Sequence, residues 1–334
     1  MKRYTGSVDN ISDGRGGILG KQADDLLLQR IANWKTAYTD GATGVLAAIE
    51  AMLWDHAAFR TAIRIVNLAS QRQQAEVPEG DGPLLNQMLF DLLAKGYWSS
   101  LLLGVRKLLD PHPLVGPRGV YSLRAILNDV KACRPKLTRR VYVEHLRMCR
   151  YDLNLLRQEN WEAIRAATGN AIWEGDTALH LSESSHRDFD YLSGVKEADR
   201  SEIDLIDPAV LELIETRLAE LDRISEHASS HIAHAGNAES RLGKNLEEFN
   251  IRDARKVLKA LKEIGDLIGL WFTNGEISNL AVYQGNQFEG LDMVLVPSAD
   301  MPVLDANWDL IDQDIESWRL EPDDLLSGNG SVSG

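Results

Sequence analysis

Arg223, His227, His231 and His234 are separated by four, four and three residues. On a helix that spacing lines all four side chains along one stripe. Imidazole titrates near neutral pH and can act as general acid or base, while guanidinium holds a phosphate or a developing oxyanion. The combination points to phosphodiester chemistry. His227 and His231 at i, i+4 could instead share a zinc ion. No His-Glu-x-x-His occurs, however, and no carboxylate or cysteine stands at diagnostic spacing. The plainer reading is a polar helix–helix interface or solvated imidazoles. Arg241, seven residues past His234 and beyond Gly236-Asn237, turns back toward the histidines or caps the helix end.

Two more groups could touch an anion. Arg106 and Asp110 stand at i, i+4. Either they form a surface ion pair, or Asp110 fixes Arg106 on a ligand phosphate. The segment 131–150 carries Lys131, Arg134, Lys136, Arg139, Arg140, Arg147 and Arg150 against the single acid Glu144. It could steer RNA, with Arg139 and Arg140 as contacts. After Ser298 the bias reverses: Asp300, Asp305, Asp309, Asp312, Asp314, Glu316, Glu321, Asp323 and Asp324 face only Arg319. That run is a solvated tail or a contact for a basic partner. With 36 basic and 50 acidic residues the net charge is −14, which argues against non-specific nucleic-acid binding over the whole surface.

The elements that must position these groups read as helices. Leu26, Leu27, Ile31 and Trp34 mark one over 22–38, and Asp40-Gly41 breaks it. A second runs from about 43 to 71 and a third, apolar around much of its circumference, from 84 to 109. Asp110-Pro111-His112-Pro113 ends the third. Ser122 caps a helix over 123–133, another spans 138–168, and 169–206 reads as a loop or insertion. Asp207-Pro208 starts a helix that runs to Ala235, carrying the histidine stripe well away from its core face of Leu211, Ile214, Leu218, Leu221 and Ile232. A last bundle helix covers 251–272. Val282-Tyr283 and Met293–Val296 suggest a β-hairpin, followed by a short helix near 307–318.

The expectation is therefore an all-α helical bundle over 22–272, after a disordered 1–21, with a β-hairpin and acidic tail over 273–334. The hydrophobic content of 44% and charged content of 26% suit a soluble globular protein. The first twenty residues lack the apolar run of a secretory signal, and no segment reaches the roughly 20 apolar residues of a membrane span. Two cysteines, Cys133 and Cys149, fit a reducing cytoplasm with buried thiols.

The run Tyr97-Trp98-Ser99-Ser100-Leu101-Leu102-Leu103-Gly104-Val105-Arg106-Lys107-Leu108-Leu109-Asp110, followed by Ser122-Leu123, resembles the Arg-x-Leu-x-Asp helix of AbiU2-like proteins in the HEPN superfamily. Ile232-Ala233-His234-Ala235, then Glu239-Ser240-Arg241, is similar to that family's C-terminal motif helix. The resemblance covers about residues 40–270. It implies a helical bundle, often dimeric, from phage-defence or toxin–antitoxin systems, many of whose members are metal-independent ribonucleases. Their signature is an arginine, four to six residues, then a histidine. This chain departs from it: positions 227–229, 224–226 and 220–222, the windows before His234, His231 and His227, hold no arginine, and Arg223 misses by one residue. The resemblance thus leaves two expectations. One is a ribonuclease with a divergent site, in which His234 and His231 are the acid–base groups and Arg106 and Arg241 stabilise phosphate charge. Arg223, His227, Asp110, Arg139 and Arg140 would then contact RNA. The other is an inactive homodimeric scaffold whose acidic segment meets a protein partner. Neither needs a cofactor or a metal.

Overall fold

Ser122 has extended backbone and its hydroxyl accepts from the amide of Ala125, so the chain turns into a helix at Leu123. That helix sits among long antecedents. In the computed structural model, which describes residues 15–76, 87–166, 177–233, 237–244, 246, 249–275, 286, 288–290 and 298–317, the elements in order are α1 (Arg15–Thr39), α2 (Val45–Glu76), α3 (Gln87–Leu108), α4 (Leu123–Cys133) and the single turn α5 (Arg139–Val141). There follow α6 (Leu153–Ala166), α7 (Thr177–Ser193), α8 (Pro208–Ala219), α9 (Asp222–His227), α10 (Ala238–Arg241), α11 (Ile251–Ile268) and α12 (Met301–Ser317). Three π-helical turns, Tyr142–Leu146, Ala228–Ala233 and Gly269–Thr273, extend α5, α9 and α11. The described residues contain no strand; one antiparallel bridge joins Thr138 to Leu205. The expected hairpin strands, Val282-Tyr283 and Met293–Val296, lie outside the described residues. No helix among the described residues is long and apolar enough to cross a membrane.

The chain divides into two units, Met1–Ala281 and Val282–Gly334. In the first, Leu27, Ile31, Trp34 and Tyr38 form the buried stripe of α1, and Val45, Ile49, Met52 and Phe59 that of α2. Helix α11 is the most strongly amphipathic, with Ala254, Val257, Leu258, Leu261, Ile264 and Ile268 turned inward, and it packs on α2, α4 and α8. Each such aliphatic side chain contributes about 1.5–3 kcal/mol by leaving water. Polar groups tie the layers. Asp129 of α4 accepts from Arg30 and from the indole of Trp34, both in α1. The Tyr38 hydroxyl donates to the Gly265 carbonyl at 2.9 Å. A Cβ on Gly269 would strike the Gly275 carbonyl and the Tyr38 phenol, so only glycine lets α1 approach the end of α11 this closely. In the second unit, α12 begins six residues before the expected helix near 307–318 and carries much of the acidic run.

Several expectations are corrected. Helix α1 starts at Arg15, inside the stretch read as disordered; residues 1–14 lie outside the described residues. The helix expected over 138–168 is broken. Its first part ends in the Tyr142–Leu146 π turn, Met148 adopts a left-handed φ of 58°, and α6 restarts at Leu153. The supposed insertion 169–206 holds α7, which buries Leu179, Ser182, Ser185, His186, Phe189 and Leu192. Those positions have helical spacing, but three of the six are polar, and so the hydrophobic period is masked in the sequence. The N-terminal half of α3 is not central: Met88, Leu89, Leu92 and Leu93 are exposed, while Tyr97, Leu101, Leu102, Val105 and Leu108 are buried.

Most of the cationic segment 131–150 is engaged by other parts of the chain. Arg139, a candidate RNA contact, has no exposure at all. Its guanidinium donates to Asp204 and Asp190 at 2.8 Å each and to the His186 carbonyl at 3.1 Å, and it lies 5.0 Å from the Phe189 ring centroid. Arg140 pairs with Glu144 and Glu202. Lys131 meets Glu215, Arg147 meets Asp188, Arg150 meets Glu159, and Arg134 donates to the Ile206 carbonyl. The sequence shows one acid within this segment because its partners lie 9 to 84 residues away along the chain. Arg139→Ala leaves Asp204 without its guanidinium in a buried setting. Chemical denaturation should register a loss of about 3–5 kcal/mol; a change below about 1 kcal/mol would show that the network is dispensable.

Candidate functional site

Helix α3 packs along α9 and the π turn that follows it. Arg106, half-buried in the last turn of α3, reaches across this seam, and its Nε donates to Ser229 Oγ at 2.8 Å. It does not make the expected i, i+4 pair. The Asp110 carboxylate is occupied instead by His112, whose backbone amide and Nδ1 lie 3.0 and 2.6 Å away. Burial acts to raise the Asp110 carboxyl. The bonds from His112, with the charges of His112 and Arg106, outweigh it and hold the group below the usual carboxylate range. Ser122 Oγ donates to the Asp110 carbonyl at 2.5 Å and so anchors the turn after α3 to the start of α4. Beside Arg106, Lys107 donates to the Thr43 carbonyl at 3.3 Å. Thr43, Arg106, Lys107 and Asp110 line a cleft of about 530 Å³ together with Tyr121.

The π turn Ala228–Ala233 interrupts the helix expected to run unbroken from 208 to 235, which also breaks between Ala219 and Asp222. Such a turn closes i→i+5 bonds and widens the helix locally. Ser229 thereby reaches Arg106 while its neighbour Ser230 is buried. The His227 and His231 rings stack face to face, with centroids 4.2 Å apart and planes 15° from parallel. His227 Nδ1 lies 3.0 Å from the Lys244 carbonyl, an acceptor only, so its proton sits on Nδ1 and its Nε2 keeps a lone pair. The Ser230 hydroxyl donates to the Glu226 carbonyl at 2.9 Å. His231 Nδ1, 2.9 Å from the same oxygen, is then the donor to Ser230, and its Nε2 is likewise left as the acceptor. Burial holds the His227 imidazole below its ordinary value; the Lys244 carbonyl opposes this and the neighbouring His231 adds to it.

The remaining candidates fall as follows. His234 lies outside the described residues. Arg241 is exposed at the end of α10, a four-residue helix packed on the π turn. Arg223 is exposed on α9 and lines a groove with Phe249, Lys256 and Val257. Arg139 and Arg140 belong to the ion-pair network of α5 and α7. Among the described residues, which leave out His234, no three His, Cys, Asp or Glu side chains are grouped to hold a metal. Sequence reading missed Ser229 and Ser230, whose roles depend on a π turn that has no residue signature. It also missed His56 and Tyr97, buried between α2 and α3 with Nδ1 and the phenol oxygen 2.6 Å apart. Burial pushes the Tyr97 phenol up to about 12. The two stand 41 residues apart, so no local pattern could pair them. With their surroundings of Phe59 and Trp98, they serve the core.

A family model for HEPN_AbiU2, described as AbiU2, matches residues 42–278. No curated protein and no solved structure matches the chain.

His56, His186 and His227 are each held below the ordinary histidine value, with burial the largest cause. A depressed histidine makes the unfolded chain bind the proton first as pH falls through about 6.5. Stability from these groups is complete above that pH and declines toward their folded values. The midpoint of thermal unfolding should therefore drop between pH 7 and 5, above the range where the depressed carboxylates Asp110 and Asp190 titrate. His186→Gln, which can keep a donor to the Tyr151 carbonyl, should flatten that drop; an unchanged slope would remove His186 from the account.

Proposed function

Because the chain belongs to the HEPN_AbiU2 family, we propose that it serves in bacterial abortive infection or a related defence and cuts RNA without a metal. The observation that carries this reading is the meeting of Arg106 with the His227/His231 segment at Ser229. It brings an arginine onto the histidine segment of a chain that lacks one at the family's linear spacing. Arg106 uses Nε on Ser229, which leaves its terminal nitrogens to face a phosphate, and Lys107 adds positive charge in the adjoining cleft. His227, held neutral, accepts the proton of a ribose 2′-hydroxyl on Nε2. The 2′-oxygen bonds to phosphorus as the bond to the 5′-oxygen breaks. His231 in its protonated form supplies the proton to that leaving oxygen, so the products are a 2′,3′-cyclic phosphate and a 5′-hydroxyl. Arg106 stabilises the charge that builds on the non-bridging oxygens. His234, next on the stripe, is the alternative proton donor, and Arg241 an alternative phosphate contact.

One observation favours a second reading. Five of the seven cations of segment 131–150, which would have guided RNA, pair with acids of the chain. A non-cleaving dimeric component would need no such guide, and its histidine stripe would lie in the interface.

An RNA-cleavage assay on the purified chain with and without EDTA separates the two. The proposed chemistry gives EDTA-resistant cleavage with cyclic phosphate ends, reduced by about 10²–10⁴-fold in Arg106→Ala and in His231→Ala. Loss in His234→Ala with activity retained in His231→Ala would move the acid off the stacked pair. No cleavage by the wild-type chain would remove the ribonuclease reading. The dimer reading instead requires a molecular mass in solution that falls from pH 8 to pH 5 as the imidazoles charge and repel; a constant mass would count against it.

A further inference from the structure

Met301, Leu304, Trp308, Ile311 and Ile315 of α12 follow one another at spacings of three, four, three and four residues. This is the seam spacing of a helix that packs lengthwise on another helix. Their exposures are 50, 48, 60, 47 and 51%, so the seam is uncovered among the described residues of its own unit. A helix of this length is marginal in water by itself and draws its stability from an apolar face being covered. The positions bordering the seam are Asp300, Asp305, Asn307, Asp312 and Asp314. Four of these five are acidic, which decides the nature of the partner. A second copy of α12 would place aspartate against aspartate along both borders, in either orientation, and like charges there oppose pairing. An anionic lipid surface is repelled for the same reason.

We propose that α12 is a docking helix for a different protein, one that presents an amphipathic helix whose apolar seam is bordered by Lys and Arg. The apolar seam supplies the attraction, and the aspartate borders select the partner and its register. The net charge of −14 speeds its approach.

The test uses the full chain and two labelled synthetic helical peptides with the same Leu/Ile seam, one carrying Lys at every border position and the other Glu. The Lys peptide should bind at least tenfold tighter than the Glu peptide, and its affinity should fall as salt rises. The double variant Asp305→Lys, Asp312→Lys, checked for unchanged helicity by circular dichroism, brings the border charge from −4 to zero and should abolish the preference. Equal binding of both peptides by the unaltered chain, or a preference that persists undiminished in the double variant, would overturn the border rule. Self-association of the chain that Leu304→Asp abolishes would make a second copy the occupant. Uptake by phosphatidylcholine vesicles would make it a membrane. Either result defeats the proposal, and none of these readouts depends on whether the chain cleaves RNA.

Discussion

A charge removed from water must be matched, and that requirement organises much of the first unit. Arg139 is wholly buried, and a lone guanidinium there would be prohibitively costly. It draws Asp204 from the loop before α8, and Asp190 with the His186 carbonyl from α7, to one point. Asp190 in turn holds Arg200, so the network closes without a free charge. The same demand gives Asp129 two donors from α1, and gives Arg124 of α4 the carboxylates Glu215 of α8 and Asp222 of α9. These links fix α4 against both α1 and the helices that lead into the histidine segment. Aliphatic burial makes the bundle stable, and the matched charges choose its arrangement.

The site inherits its geometry from that arrangement. Helix α3 delivers Arg106 to the seam because Tyr97, Leu101, Leu102, Val105 and Leu108 bury its other face. Helix α9 and its π turn deliver Ser229, Ser230 and the stacked imidazoles. The π turn is the decisive local feature. It places one serine on the guanidinium and the next on an imidazole, which an unbroken α-helix would not space in the same way. Two imidazoles with their Nδ1 atoms tied and their Nε2 atoms left as acceptors form a pair suited to giving and taking protons, and Arg106 meets the same segment at Ser229, 2.8 Å away.

Helix class and many helix starts were legible from residue type alone. Ser122 and Asp207-Pro208 each cap a helix where their side chains predict it, because capping is local chemistry. The residues of α3 and of the segment around Ile232 carry the family likeness in their order along the chain, and the family match over 42–278 bears it out. Helix α7 was not legible, since Ser182, Ser185 and His186 sit where aliphatic residues would have signalled an inward face. The breaks at Met148 and Ala228 were not legible either: neither carries the glycine or proline that marks an interruption.

The sequence by itself determined that this chain is built of helices, roughly where they begin, and which family it joins. These follow from hydrophobic period, caps and short motifs, all of which act over a few residues. Only the tertiary structure decided which charges are available for chemistry. Arg139 and Arg106 look alike in the chain, yet one is locked between Asp190 and Asp204 and the other donates to Ser229 in the segment that carries the histidines. Electrostatic matching acts through space, as between Arg30 and Asp129, which are 99 positions apart, and that distance is invisible until the helices have packed.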